Sequence, residues 1–112
     1  MTEDIIFPAT KTELRQWFDK QNAVSEPTWV VIYKLSSRKQ LISFNDLVEE
    51  ANCHGWVDIR VKTIDEERYA ILLSPRKQNS HWTEANKLLA ERMISKGRMT
   101  PQGQEVYYRG PS

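Results

Sequence analysis

The sequence predicts an α+β fold, a small mixed sheet of about three strands packed with three to four helices. Apolar residues recur at helical spacing in four stretches, and strand-like runs lie between them. Two of these runs are neighbours along the chain and are joined by a short polar turn. The expected order is therefore α-β-α-β-β-α-α, and the sheet consists of one strand plus an antiparallel hairpin.

The first helix is expected over residues 11–20, and the first strand over residues 29–33. Thr10, with Glu13 three residues later, forms a capping box that sets the helix start. After Pro27 the chain reads Trp-Val-Val-Ile-Tyr, which is β-branched or aromatic at every position. Such a run is typical of a strand covered on both faces, so we place it centrally in the sheet.

The second helix is predicted to follow Ser43, because Ser43 and Asp46 form another capping signal. Gly55 ends this helix. Residues 56–64 then alternate apolar and polar side chains, and residues 69–75 resume the alternation after a polar three-residue turn. These two segments are the strands of the predicted hairpin.

The register of the hairpin determines which polar side chains meet. In the expected register Asp58 lies opposite Ser74, and Trp56 lies opposite Arg76. The even-numbered residues from Trp56 to Lys62 then share one face of the strand, and the odd-numbered residues share the other. Asp58 and Arg76 become diagonal neighbours whose charges can interact.

Two further helices complete the predicted fold. The third helix covers residues 83–95, with Ser80 or Thr83 as its N-cap and Gly97 as its C-terminal stop. The dipeptide Thr-Pro at residues 100–101 is a favourable start for a short last helix.

Length and composition predict a single domain over residues 1–112. Cys53 is the only cysteine and the chain has two histidines, so an internal disulfide is excluded and the usual Cys/His zinc patterns are absent. We expect no metal and no cofactor. The acidic N-terminus lacks the features of a secretory signal, and no apolar run approaches 18 residues. These features predict a cytoplasmic protein without membrane insertion.

Four segments carry a recognisable pattern. They are Ala-Asn-Cys-His-Gly-Trp-Val-Asp at residues 51–58, Ser-Pro-Arg-Lys at 74–77, Ser-His-Trp-Thr at 80–83 with Asn86, and Gly-Arg-Met-Thr-Pro-Gln-Gly at 97–103. Together they resemble the YdeI/OmpD-associated family, also called the bacteriocin-protection family. The resemblance implies a role in resistance to bacteriocins or other antimicrobial agents and an association with an outer-membrane porin, without a defined reaction.

Three features depart from that family. The chain ends soon after residue 103, whereas family members usually continue into a further C-terminal helical segment. His81 stands where Asn is more common, and Ile59 stands where Gly is common. A ligand site built at these positions is therefore expected to differ from that of the family.

The hairpin and the third helix supply the candidate site, because that helix begins only a few residues beyond Arg76. The candidate ligand-binding residues are Trp56, Asp58, Arg76, Lys77, Trp82 and Asn86. The two cations would hold a carboxylate or phosphate, the amide would hydrogen-bond, and the indole rings would stack on a planar or sugar-like group. The predicted function is a non-enzymatic protection module that binds a small anionic or polar ligand or a protein partner.

Two alternatives to this site stay open. In a purely structural interpretation, Asp58 and Arg76 only join the two hairpin strands, and the tryptophans fill space between helix and sheet. In the other, a basic sheet face binds nucleic acid, since residues 60–98 carry 9 basic and 5 acidic groups whereas residues 1–59 carry 6 and 9. The residues of that face would be Trp56, Arg60, Lys62, Arg68 and Arg76.

An enzyme is a third alternative, but the sequence pattern reveals no paired acid and base. Cys53 and His54 are adjacent near a helix end, so their side chains point about 100° apart. We interpret Cys53 as a buried small hydrophobe and His54 as a favourable cation at a helix C-terminus. His81 does not indicate a hydrolase triad, because a nucleophile elbow and an oxyanion motif are both missing.

Overall fold

The computed structural model describes residues 4–22, 24–39, 41–77 and 82–109, which form a four-stranded sheet and four α-helices. The elements are β1 (Asp4–Ile6), α1 (Lys11–Asp19), β2 (Thr28–Tyr33), α2 (Phe44–Cys53), β3 (Trp56–Thr63), β4 (Arg68–Pro75), α3 (Glu84–Ser95) and α4 (Pro101–Arg109). A short 3₁₀ helix at Leu35–Ser37 follows β2. The strand order is β1-β2-β4-β3, with β1 parallel to β2 and the other neighbours antiparallel.

The α+β prediction is confirmed, and the sheet has one strand more than the three expected. The additional strand, β1, has only three residues, too few to show an alternating pattern in the sequence. Its pairing with β2 makes β2 an inner strand, as the apolar sequence of β2 predicted. The hairpin of β3 and β4 is also confirmed.

The predicted N-caps are present, and Ser43 with Asp46 forms the full capping box, whereas at Thr10 the Glu13 carboxylate accepts from the Ala9 N–H instead of closing the box. Thr10 caps α1 and Ser43 caps α2, and each side-chain oxygen accepts a hydrogen bond from the backbone N–H three residues further on, at 3.0 Å. Of the two candidates for α3, Thr83 is the N-cap. Ser80 lies outside the described residues. Local side-chain chemistry therefore sets the starts of these helices.

The predicted hairpin register is correct in the half next to the turn and wrong at the base. A β-bulge at Ile59 shifts the pairing there by one residue, so that Trp56 lies opposite Pro75 and Asp58 opposite Leu73. Each partner is one residue earlier than predicted. An extra residue on one strand reverses the alternation of faces, and alternation alone gave no sign of it.

The bulge divides the polar residues of β3 between the two faces of the sheet. Trp56 and Asp58 share a face with the core residue Leu73, whereas Arg60 and Lys62 lie on the opposite face. The prediction that these even-numbered residues share one face was therefore wrong.

Two buried clusters form the core, and α2 contributes to both. The first lies on the inner face of the sheet and consists of Leu14, Phe18, Val30, Ile32, Ile42, Leu47, Ala51, Trp56, Ile71 and Leu73. The second joins the end of α2 to the last two helices and consists of Cys53, Trp82, Leu89, Ala90, Met93, Met99 and Val106. The helix α2 thus connects the sheet to α3 and α4.

The other side of the sheet is called the outer face here. Its side chains alternate with those of the core and belong to Ile5, Trp29, Val31, Tyr33, Val57, Arg60, Lys62, Arg68, Ala70, Leu72 and Ser74. Val31, Ala70 and Leu72 are buried but belong to neither helix-lined cluster.

None of the helices in the described ranges combines the length and the apolar character that crossing a bilayer requires.

The contact between α4 and the end of α2 predicts different effects of two glycine substitutions. In Gly103→Ala, the new Cβ would overlap the carbonyl oxygen of Cys53 and crowd the sulfur of Met99. We expect a loss of about 3 kcal/mol in the free energy of unfolding, as for other overpacked sites. The measurement is urea denaturation.

Gly97→Ala is the matched control. Gly97 has a φ of +70° and open space around it, so the substitution costs only the left-handed conformation, about 1 kcal/mol. Equal stability of Gly103→Ala and the wild type would contradict the close packing.

Candidate functional site

The structure brings together two of the predicted site residues, Arg76 and Trp82. The guanidinium of Arg76 lies 3.8 Å from the centre of the Trp82 ring, and the two residues are only 5% and 6% exposed. Burial lowers the pKa of Arg76, and the negative charge of Asp58 opposes this effect. The stacked cation fixes the chain after β4 against the start of α3. His81 lies outside the described residues.

The other predicted residues have different surroundings. Trp56 is buried on the inner face, with its ring edge-on to Trp17 at 5.4 Å. Lys77 is exposed and borders an open cleft at the end of the hairpin. The backbone carbonyl of Asn86 accepts a hydrogen bond from Asn52 Nδ2 at 3.3 Å. The six residues are thus spread over several environments, and ligand binding by them stays a prediction.

A cluster that the sequence analysis missed surrounds a buried carboxylate, Glu50 on α2, which is 3% exposed. Its Oε2 accepts a hydrogen bond from Arg15 Nη1 at 2.7 Å and lies 2.8 Å from His54 Nε2. Its Oε1 accepts from Arg98 Nη2 at 2.6 Å. We call these four residues, Arg15, Glu50, His54 and Arg98, the Glu50 cluster. It joins α1, α2 and the segment between α3 and α4.

Electrostatics keep the carboxylate of Glu50 ionised. Burial raises the pKa of Glu50, but the hydrogen bond from His54 and the charges of Arg15 and Arg98 outweigh burial, so the pKa lies below its ordinary value of 4.5. Glu50 is therefore a carboxylate at neutral pH, and a carboxylate only accepts hydrogen bonds. Nε2 of His54 consequently carries a proton, which leaves Nδ1 for another partner.

The second ring nitrogen of His54 faces an acidic side chain across a gap. Nδ1 lies 3.9 Å from Asp19 Oδ1, which is too far for a hydrogen bond. The imidazole ring stacks on Phe18, with centroids 4.8 Å apart and planes 11° from parallel. Glu50 and Phe18 together hold the ring in one orientation.

His54 forms part of the wall of a cleft of about 200 Å³ between the end of α1 and the start of α4. The lining residues are Phe18, Asp19, Gln21, Asn22, His54, Trp56, Thr100, Pro101 and Gln102. The cleft has room for a few atoms of a small molecule, given about 30 Å³ for each water in the liquid. Two aromatic rings, three carboxamides, a carboxylate and an imidazole surround it.

Two of the segments that resemble the YdeI/OmpD-associated family, residues 51–58 and 97–103, meet beside this cleft. Thr100 donates hydrogen bonds to the carbonyl oxygen of Cys53 from its hydroxyl at 2.7 Å and its backbone N–H at 3.0 Å. Burial and the charge of Glu50 raise the pKa of the Cys53 thiol, which disfavours a thiolate nucleophile. Cys53 is completely buried, as interpreted from the sequence.

The sequence did contain one signal for the Glu50 cluster. Glu50 and His54 are four residues apart, the spacing at which helical side chains meet. Their arginine partners are 35 and 48 residues away from Glu50, and no local pattern reports such contacts. His54 lies at the C-cap of α2, as expected, but it is buried and paired.

Among the described residues, no group of three or more His, Cys, Asp or Glu side chains is placed to hold a metal ion.

The Glu50 cluster predicts a pH-dependent contribution to stability. Glu50→Gln should lower the free energy of unfolding by about 3 kcal/mol at pH 7, because it removes the buried negative charge that the half-buried Arg15 and Arg98 face. In the wild type this stabilisation is complete above the ordinary pKa of 4.5 and is lost as the pH falls through the lower folded-state pKa.

Urea denaturation at pH values from 7 to 3 measures this contribution. The wild type should lose more stability than Glu50→Gln over this range, so that the two curves converge. Parallel curves would contradict an ionised, buried Glu50.

Comparison with known proteins identifies a family. A family model described as a domain of unknown function (DUF8412) matches residues 6–106 of the chain, which include the whole Glu50 cluster and the cleft. No curated protein and no solved structure is significantly similar to the chain. The protein therefore belongs to the DUF8412 family of domains of unknown function.

Proposed function

We propose that this protein is a binding module for a small polar ligand, which it holds in the cleft beside His54. One observation carries the proposal: a buried, fully paired carboxylate orients the imidazole of His54, and the second nitrogen of this ring lies 3.9 Å from Asp19 in the wall of the same cleft. Burying the charge of Glu50 and ordering two arginines around it is costly. These contacts hold His54 in one orientation beside the cleft. Ligand binding that uses this fixed imidazole is the function that the geometry supports best.

The chemistry of the cleft favours a ligand that donates hydrogen bonds. With the single proton of the imidazole on Nε2, Nδ1 of His54 and the carboxylate of Asp19 are both acceptors, and they lie 3.9 Å apart. An amino group placed between them would donate to both, and two neighbouring hydroxyl groups of a polyol would each donate to one of them. The rings of Phe18 and Trp56 would pack against the carbon atoms or the cation that bears this group. The ligand class is therefore a small amine or polyol.

Binding is favoured over catalysis at this site. The Glu50–His54 pair resembles an acid–base pair, but both oxygens of Glu50 already accept hydrogen bonds from arginines. The hydroxyl of Thr100, which lines the cleft, donates to a backbone carbonyl. A nucleophile activated by His54 would have to be a water molecule or part of the ligand. These contacts support the non-enzymatic role expected from the sequence.

A role in bacteriocin or stress protection is part of the proposal. It rests on the resemblance to the YdeI/OmpD-associated family, because the matching family model carries no function. Two of the resembling segments, residues 51–58 and 97–103, supply His54, Trp56 and Thr100 to the cleft. Ligand capture there gives such a protective role a physical basis.

Ligand titrations followed by two-dimensional ¹H–¹⁵N NMR test the proposal. The probes are small primary amines, polyols and carboxylates at millimolar concentration, and the indole N–H signals of the four tryptophans report where each probe binds. We expect amines or polyols to shift the Trp56 signal and leave the Trp82 signal unchanged. His54→Phe, which keeps a ring against Phe18, should weaken binding at least tenfold because the acceptor is lost.

Lys96→Ala is the matched control, since Lys96 is exposed at the end of α3, and it should bind like the wild type. Unchanged binding in His54→Phe would exclude the cleft as the site. Carboxylates that shift only the Trp82 signal would instead favour the site predicted around Arg76.

A further inference from the structure

The outer face carries two cations that are not used elsewhere in the described structure. Arg60 and Lys62 are exposed, and they form no ion pair with another described residue. The acidic residues of the four strands, Asp4 and Asp58, lie at inner-face positions opposite Thr28 and Leu73. The strands therefore present positive charge, and no carboxylate, on the outer face.

The acidic turn of the hairpin, Asp-Glu-Glu at residues 65–67, would repel a nucleic acid, but neighbouring cations partly neutralise it. Asp65 accepts two hydrogen bonds from the guanidinium of Arg68, at 3.0 and 2.8 Å. Glu67 pairs with Lys39 at 2.9 Å. The repulsion that this turn exerts on an anion is therefore reduced at the end of the sheet.

Aromatic rings lie on the same face as the two cations. Trp29 and Tyr33 are half-buried residues of the inner strand β2, and they sit about 13 Å apart along it. Trp29 lies opposite Leu72, which in turn lies opposite Arg60 on β3. A ring and a cation thus flank the apolar centre of the sheet, about 10 Å apart across three strands.

Of the five residues expected on the basic face, Arg60, Lys62 and Arg68 lie on the outer face, and Trp56 and Arg76 do not. The bulge at Ile59 places Trp56 in the core, and Arg76 is buried against Trp82. Trp29, which the sequence analysis did not include, takes the aromatic position on the outer face.

We infer that the outer face binds single-stranded nucleic acid, a function beyond ligand binding in the His54 cleft. Unpaired bases stack on aromatic side chains, and cations hold the phosphates. Trp29 and Tyr33 provide the rings, while Arg60 and Lys62 provide the positive charge. A sheet face on which rings and cations lie side by side suits unpaired bases, whose ring faces are open to stacking, better than the paired and stacked bases of a duplex.

Fluorescence anisotropy with labelled twelve-residue oligouridine and oligothymidine tests this inference on the intact chain. Two phosphate contacts predict that binding weakens about sevenfold between 50 and 200 mM salt. The double variant Arg60→Ala/Lys62→Ala should bind at least tenfold more weakly at 50 mM salt and lose most of the salt dependence. Trp29→Leu, which keeps an apolar side chain, should weaken binding about tenfold.

The matched control is Lys20→Ala/Lys96→Ala, which removes the same charge from exposed helix ends. It should bind like the wild type, and so should His54→Phe, which separates this site from the proposed cleft. Absence of binding, or an equal loss in the control, would overturn the inference. So would a stable dimer in sedimentation that Trp29→Leu dissociates, because a second copy of the chain would then cover the face.

Discussion

The buried charge of Glu50 is the constraint on which much of this structure depends. A carboxylate that is 3% exposed is tolerated only when its charge is balanced and its oxygens accept hydrogen bonds. Arg15 comes from α1, His54 from the end of α2 and Arg98 from the segment that follows α3. Folding must therefore bring three distant parts of the chain to one point. The same contacts define the position of His54 and the wall of the cleft.

A second set of contacts locks the end of α2 to α4 close to this cluster. The carbonyl of Cys53 accepts two hydrogen bonds from Thr100, and only a residue without a Cβ fits at Gly103 beside the same carbonyl. The segments 51–55 and 97–103 therefore pack as a unit. Their sequence pattern therefore has a structural reason that does not depend on ligand binding.

Local sequence signals predicted much of the fold, and the failures have physical causes. The caps at Thr10 and Ser43 and the alternation in β3 and β4 depend on neighbouring residues, so the sequence reports them directly. The bulge at Ile59 adds a single residue, and apolar alternation on either side of it looks continuous. That one residue moved Trp56 to the core and took it out of the predicted ligand pocket.

The candidate site was harder to predict because its partners are far apart in sequence. Only the four-residue spacing of Glu50 and His54 is a local signal. The basic excess of residues 60–98 also gave an incomplete picture, because Arg76 stacks on Trp82 and Arg98 pairs with Glu50. Arg60 and Lys62 remain exposed on the outer face. The structure thus distinguishes Arg76 and Arg98, which stabilise the fold, from Arg60 and Lys62, which are exposed to solvent.

The tautomer of His54 tests the central claim most directly. Long-range ¹H–¹⁵N correlation spectra of the imidazole distinguish a protonated ring nitrogen from a bare one. An ionised Glu50 at 2.8 Å predicts that every neutral imidazole ring carries its proton on Nε2 and leaves Nδ1 bare. A neutral ring with its proton on Nδ1, or one that averages between the two tautomers, would contradict the orientation of His54 by Glu50.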